Sequence, residues 1–240
     1  MTYVEGFVTP VATVARADYV AHADAAARVL AGCGIARQAE YWGDDVPDGQ
    51  ITDFARAVQR DADETVVFSW FEYPDRAARD AANAAMMADP RMEAMAQSMP
   101  FDGRRMIHGG FAVILEEGAG VGDYIDGFLA AVPAANRDAY LASAQEAAAL
   151  FLEHGALRVV EAWGDDVPEG KVTDFARAVK ASADEAVVFS WIEWPDRDAR
   201  NTGWARLEAD PRMIAPADLP FDARRMVYGG FVRLPIGEGK

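Results

Sequence analysis

Hydrophobic and polar positions along the chain switch repeatedly between a period of two and a period of 3.6. YVEGFV, from Tyr3, is a short β-rich run that Pro10 is expected to close. From about Thr13 to Cys33 the apolar residues fall at helical spacing, with Tyr19, Ala23, Ala26, Ala27 and Leu30 on one face. Gly34 is a natural stop. Ala36 to Trp42 reads as a second strand, followed by a Pro/Gly/Asp loop. ETVVFSWFEY, from Glu64, is the clearest strand, dense in β-branched and aromatic residues. Pro74 breaks the chain and Asp75 offers a helix N-cap. That helix is expected to end near Ala88, because Asp89 precedes Pro90 and is pushed out of helical geometry. MIHGGFAVIL, from Met106, is the last strand.

The pattern then starts again. GDDVPDGQITDFARAV from Gly43 returns as GDDVPEGKVTDFARAV from Gly164, an offset of 121 that also relates Tyr3 to Tyr124 and Ser69 to Ser190. After a one-residue deletion the offset becomes 120, relating MPFDGRRMIHGGF to LPFDARRMVYGGF. A repeat of this length is a whole small domain rather than a solenoid unit. The boundaries expected are 1–117 and 122–236, with 118–121 as the linker in a glycine- and acid-rich stretch. The order within each copy, β-α-β-β-α-β, is that of the ferredoxin-like unit. The fold class is therefore α+β. Each antiparallel sheet has helices on one face, and two copies can close their open faces into one barrel, a pseudo-dimer within a single chain.

At GDDVPDGQITDF, ETVVFSWFEYPDR, ADPRM and MPFDGRRMIHGGF the chain resembles the uncharacterised bacterial family called domain of unknown function 1428, over nearly all of both copies. The resemblance implies the dimeric α/β-barrel superfamily, whose members include cofactor-free oxygenases, haem enzymes and small-molecule binders. It supplies no activity or catalytic residues. The second copy departs from the pattern on its second helix, where RDAAN at Arg79–Asn83 becomes RNTGW at Arg200–Trp204.

Composition narrows the partners. The net charge is −16, which repels phosphate backbones and acidic membranes, so neither nucleic acid nor a membrane is expected. Cys33 is the single cysteine, and the first residues lack a basic segment followed by an apolar run, which makes the cytoplasm the expected compartment. A higher oligomer is left open.

Strand alternation sorts the chemistry. One face collects Glu5, Glu40, Trp42, Ser69, Phe71 and His108, and in the second copy Asp126, Glu161, Trp163, Ser190, Ile192 and Tyr228. Turned into the barrel, this set would line a cavity in which crowded carboxylates have raised pKa values and His108 shuttles protons. His108, Glu40 and Glu5 are the candidate catalytic groups. Trp42, Ser69, Phe71, Glu161, Trp163, Ser190 and Tyr228 are the candidate ligand contacts. The competing reading puts the acids in solvent at strand ends and makes His108 a packed ring like its partner Tyr228. No metal or other cofactor is expected. His22, His108 and His154 have no histidine counterparts in the other copy, and GDDVPDG lacks the alternating acids of a calcium loop, so it is expected to be a solvated turn. Gly109-Gly110 and Gly229-Gly230 suggest close backbone packing. Arg104, Arg105, Arg224 and Arg225 are expected to pair with Asp102 and Asp222. Three functions stay open: a cofactor-independent oxygenase or isomerase acting on a small apolar molecule in the barrel, a non-catalytic small-molecule-binding or stress-related protein, and a structural module. A closed pocket of several hundred Å3 inside the barrel would keep the first two open, and a packed interior would leave only the third. Because the copies have drifted, a ligand is expected in the half that carries His108.

Overall fold

The computed structural model describes residues 2–213 and 215–237. The first half contains β1 (Tyr3–Ala12), α1 (Arg16–Leu30), β2 (Arg37–Asp45), α2 (Phe54–Ala57), β3 (Glu64–Tyr73), α3 (Arg76–Ala88), α4 (Pro90–Ala96) and β4 (Ile107–Gly118). The second contains β5 (Tyr124–Pro133), α5 (Arg137–Glu153), β6 (Arg158–Asp166), α6 (Phe175–Ala178), β7 (Glu185–Trp194), α7 (Arg197–Ala209) and β8 (Val227–Arg233). The strands close into one antiparallel barrel in the order β1-β3-β2-β8-β5-β7-β6-β4. The halves are sewn together along two seams, β2 to β8 and β4 to β6.

β1 runs straight through Pro10, where the sequence pattern had it end. It pairs with β3 as far as Ala12 but with β4 only as far as Val8. The missing N–H of Pro10 therefore falls where one side of the strand has no partner to disappoint. Asp75 caps α3 as expected, accepting from the Ala78 amide at 2.8 Å. α4 was not foreseen: Asp89 ends α3 and caps the new helix, accepting from the Arg91 amide at 2.8 Å. The corresponding segment of the second half forms no such helix among the described residues.

The barrel interior is solid. Phe68 stacks on its counterpart Phe189 with centroids 4.4 Å apart, and Trp70 meets Trp191 at 4.2 Å, so equivalent residues meet on the pseudo-two-fold axis. That contact requires glycine opposite: a Cβ on Gly6 would lie 2.7 Å from the Phe189 ring. α2 and α6 plug one end with Phe54 and Phe175, each packed edge-on against the aromatic core. Thr52 donates to the Ala178 carbonyl and Thr173 to the Ala57 carbonyl, both at 2.6 Å, so each plug is tied to the other half. The opposite end is closed by ions. Arg37 grips Glu193 through two bonds of 2.8 Å, and Arg158 grips Glu72 through bonds of 2.9 and 3.0 Å. The indoles of Trp70 and Trp191 donate to the same two glutamates.

The two Gly-Asp-Asp segments are exposed or half-buried, as a solvated turn would be, but their acids, at the ends of β2 and β6, are all held from the other half. Tyr3 and Arg76 of the first half bind Asp165, and Arg79 binds Asp166, while Tyr124 and Arg197 of the second half bind Asp44, and Arg200 binds Asp45. Each loop is a clamp across the seam between halves. The glycine pairs do make close approaches: a Cβ on Gly110 would sit 2.4 Å from the Tyr3 hydroxyl. The arginines after each Asp102 and Asp222 pair as expected, and Arg105 and Arg225 reach further, to Glu64 and Glu185.

Candidate functional site

Because large residues fill the barrel, the acid-bearing face of each sheet points the other way, toward the helices. The expectation of a cavity inside the barrel is thereby corrected. The alternation of residues was read properly, but its two faces were assigned to the wrong sides. A packed interior was expected to leave only a structural role; the interior is packed, but cavities lie on the other face of each sheet, beneath the helices, where no pocket was expected.

In the first half a cavity of about 260 Å3 opens between the sheet and α1, α3 and α4. Glu5, Glu40, Ser69 and Phe71 line it, together with Tyr19, His22, Asn83 and the thioethers of Met86, Met92 and Met106. Glu40 accepts from the Tyr19 hydroxyl at 2.8 Å and from Gln38 at 3.2 Å, and it faces Ser69 across the β2–β3 pair. Burial raises its carboxyl above the ordinary range. Glu5 is 5% exposed but, among the described residues, has a single close donor, the Asn83 amide at 3.1 Å. Arg79 stands off at 3.7 Å. Burial raises Glu5 as well, against the opposing pull of Asn83, Arg79 and His108.

The second half repeats part of this. A cavity of about 270 Å3 is lined by Glu161 and Ser190 beneath α5. Tyr140 donates to Glu161 at 2.6 Å, and burial pushes that carboxyl to about 7. Asp126, the counterpart of Glu5, is handled differently. It accepts from the Trp194 indole at 2.9 Å, the Trp204 indole at 2.7 Å and two Arg200 nitrogens at 2.9 and 2.8 Å. Burial raises it, but all four partners can only donate, so the ionised form is the one that fits. Trp204 walls Asp126 off into a separate cleft of about 840 Å3 that also contains Tyr228.

The other candidates disperse. His108 is exposed and lies in a cleft of about 430 Å3 facing the second half's loop, outside the cavity of Glu5 and Glu40. Trp42 packs under Arg16 and beside Tyr19, and Trp163 under Arg137 and beside Tyr140. Neither lines the cavity of Glu40 or that of Glu161. Pattern reasoning missed Tyr19 and Asn83 as partners of the acids. Tyr19 and Tyr140 keep the same spacing from Glu40 and Glu161, which was the available signal. Among the described residues no three His, Cys, Asp or Glu side chains come together as a metal site, and no helix is long and apolar enough to cross a membrane.

A closed barrel made of two ferredoxin-like halves is the architecture of the dimeric α/β-barrel proteins. Two such structures cover 97% of this chain. One is an anthrone oxidase-like protein (TM-score 0.55, 12% identity, 91% of its chain). The other is a "Putative monooxygenase" of Fusobacterium nucleatum (TM-score 0.53, 11% identity, 92% of its chain). At such identities the likeness is one of fold. The chain belongs to the family described as "Protein of unknown function (DUF1428)", whose model matches residues 2–103 and again 123–223. It is 55% identical over 109 residues to the uncharacterized protein YbaA of Escherichia coli K12, and equally to that of Shigella flexneri, covering 93% of the relative and 45% of this chain.

Proposed function

We propose that the first-half cavity binds a small, largely apolar molecule and that Glu5 takes a proton from it. The observation that carries this reading is the bonding of Glu5: a buried carboxylate at a cavity wall with one close donor, where its counterpart Asp126 has four. A carboxylate with spare acceptor capacity and a raised pKa is suited to general base work. Glu40, held by Tyr19 and Gln38, orients the far wall of the cavity instead. A proton taken by Glu5 and returned at another atom of the substrate is an isomerisation. Capture of the carbanion by dioxygen forms a C–O bond and a peroxide anion that takes back the proton held by Glu5, and loss of water from the hydroperoxide leaves a carbonyl, an oxygenation with dioxygen as oxidant and oxygen source. The names of the fold neighbours, "Putative monooxygenase" and "anthrone oxidase-like protein", favour the second.

The test begins with native mass spectrometry of the protein purified from its own host. A retained small molecule is expected, and Ala26→Phe, which fills the cavity, should abolish it. Incubation of that molecule with the protein in D2O should then incorporate deuterium, and Glu5→Gln should slow the exchange by roughly 100-fold or more. Retention without exchange would leave a binding protein. A retained mass unaffected by Ala26→Phe would remove this cavity from consideration.

A further inference from the structure

The two clefts that flank the inner cavities share a few equivalent positions, among them Arg104 and Arg224, Met106 and Met226, His108 and Tyr228, and Lys171 and Gln50, and they differ in charge at the last two. In each, the segment before a last strand faces the Gly-Asp-Asp-bearing loop of the other half. Where the cleft beside the first cavity has His108 and Lys171, the other has Tyr228 and Gln50. Both differences add basic character on the side of Glu5, in a chain whose net charge is −16.

The acids around the first cleft are already engaged. Asp102 pairs with Arg104, Glu169 with Arg177, and Asp166 with Arg79. Asp174 caps α6, accepting from the Arg177 amide at 2.7 Å. Lys171 is exposed and, among the described residues, has no carboxylate within 4.0 Å. His108 lies on Phe7 with ring centroids 6.5 Å apart, and Phe7 lines the inner cavity. Met106 lines both spaces. A flexible thioether is thus the partition between an apolar chamber and a cationic mouth.

We infer that the ligand of the first cavity is an amphipathic anion: an apolar ring system held within the chamber, joined to a carboxylate, sulfonate or phosphate that His108 and Lys171 receive in the cleft. The inference rests on the small-molecule reading of the cavity and narrows its substrate class. The pair of His108 and Lys171 offsets the repulsion that so acidic a protein exerts on an anion, and it is found on one side only, since Arg200 and Arg224 of the other cleft are bound to Asp126 and Asp222, so the chain has one such site rather than two.

Two dyes that share one skeleton separate the ideas. 8-Anilinonaphthalene-1-sulfonate carries the anion, and N-phenyl-1-naphthylamine is the same molecule without it. Fluorescence titration of the full chain should show both bound, the sulfonate about tenfold more tightly. Ala26→Phe should abolish both. The double substitution His108→Tyr with Lys171→Gln, which copies the other cleft, should weaken the sulfonate about tenfold and the neutral dye less than twofold. Equal weakening of both dyes, or none, overturns the inference while leaving the cavity as a binding site. Failure of either dye to bind, or binding indifferent to Ala26→Phe, overturns the cavity reading and the inference with it.

Discussion

Glu5 and Asp126 occupy the same place in the two halves and live in opposite circumstances. Asp126 is buried beneath two indoles and a forked guanidinium, with every lone pair engaged. Glu5 is almost as buried, yet Asn83 stands where the second half has Trp204, and Tyr73 where it has Trp194. In the first half the acid shares one cavity with Glu40, whereas in the second Trp204 separates Asp126 from Glu161 and the scaffold takes up its oxygens. A fused chain permits this division because one half can spend its site on stability without altering the other.

The largest effect should come from removing the guanidinium on each side. Arg200→Ala would leave Asp126 a buried charge with only indoles for company, a loss of about 3 to 5 kcal/mol. Arg79→Ala should cost less, roughly 2 kcal/mol or under, because its main partner Asp166 is 44% exposed in its side chain and water can replace the arginine there. Urea denaturation of both variants measures this, and equal losses would break the contrast.

A middle-sized effect concerns what the halves share. Glu161 titrates near 7 in the folded protein because of burial, against 4.5 ordinarily. Between those values the folded state holds a proton that the unfolded chain has released. Stability therefore falls as pH rises through that window and levels off above it. Glu161→Gln should remove about 1 to 3 kcal/mol of that fall, the upper figure following from the shift itself and the lower from water in the adjoining cavity. Glu40, raised for the same reason, should give the same sign. Thermal melts from pH 4.5 to 8 would reveal it, and opposite signs would mean the halves differ here too.

The smallest effect isolates one oxygen. Among the described residues the buried Tyr73 hydroxyl has no hydrogen-bond partner, whereas the Trp194 indole at the same position serves Asp126. Tyr73→Phe removes an unpaired polar group and should be neutral or stabilising by up to about 1 kcal/mol. A clear destabilisation in calorimetry would show that the hydroxyl has a partner, such as water in the first cavity, and would bring Tyr73 into the site.

Much of this was legible in the residues. The repeat, the antiparallel halves, the arginine pairs after Asp102 and Asp222 and the crowded glycines all follow from local pattern. So did the drift at Asn83 and Trp204. The side of the sheet was not legible. β1 is buried on both faces, one against the barrel core and the other under helices, so its hydrophobicity carries no sign of direction. The clamps on Asp165 and Asp166 escaped notice because the residues they hold, Tyr3, Arg76 and Arg79, lie in the other half. Nothing near GDDVPDG in sequence names them.

By itself the sequence determined that this protein is one α+β unit written twice, with its acids and aromatics sorted onto alternate faces, because periodicity and duplication are properties of the chain. Only the tertiary structure decided which face became the core. Phe68, Trp70, Phe189 and Trp191 meet on the axis between halves, and no local pattern can weigh that contact. Their bulk fills the barrel and sends Glu5, Glu40 and Ser69 outward to the cavity beneath the helices.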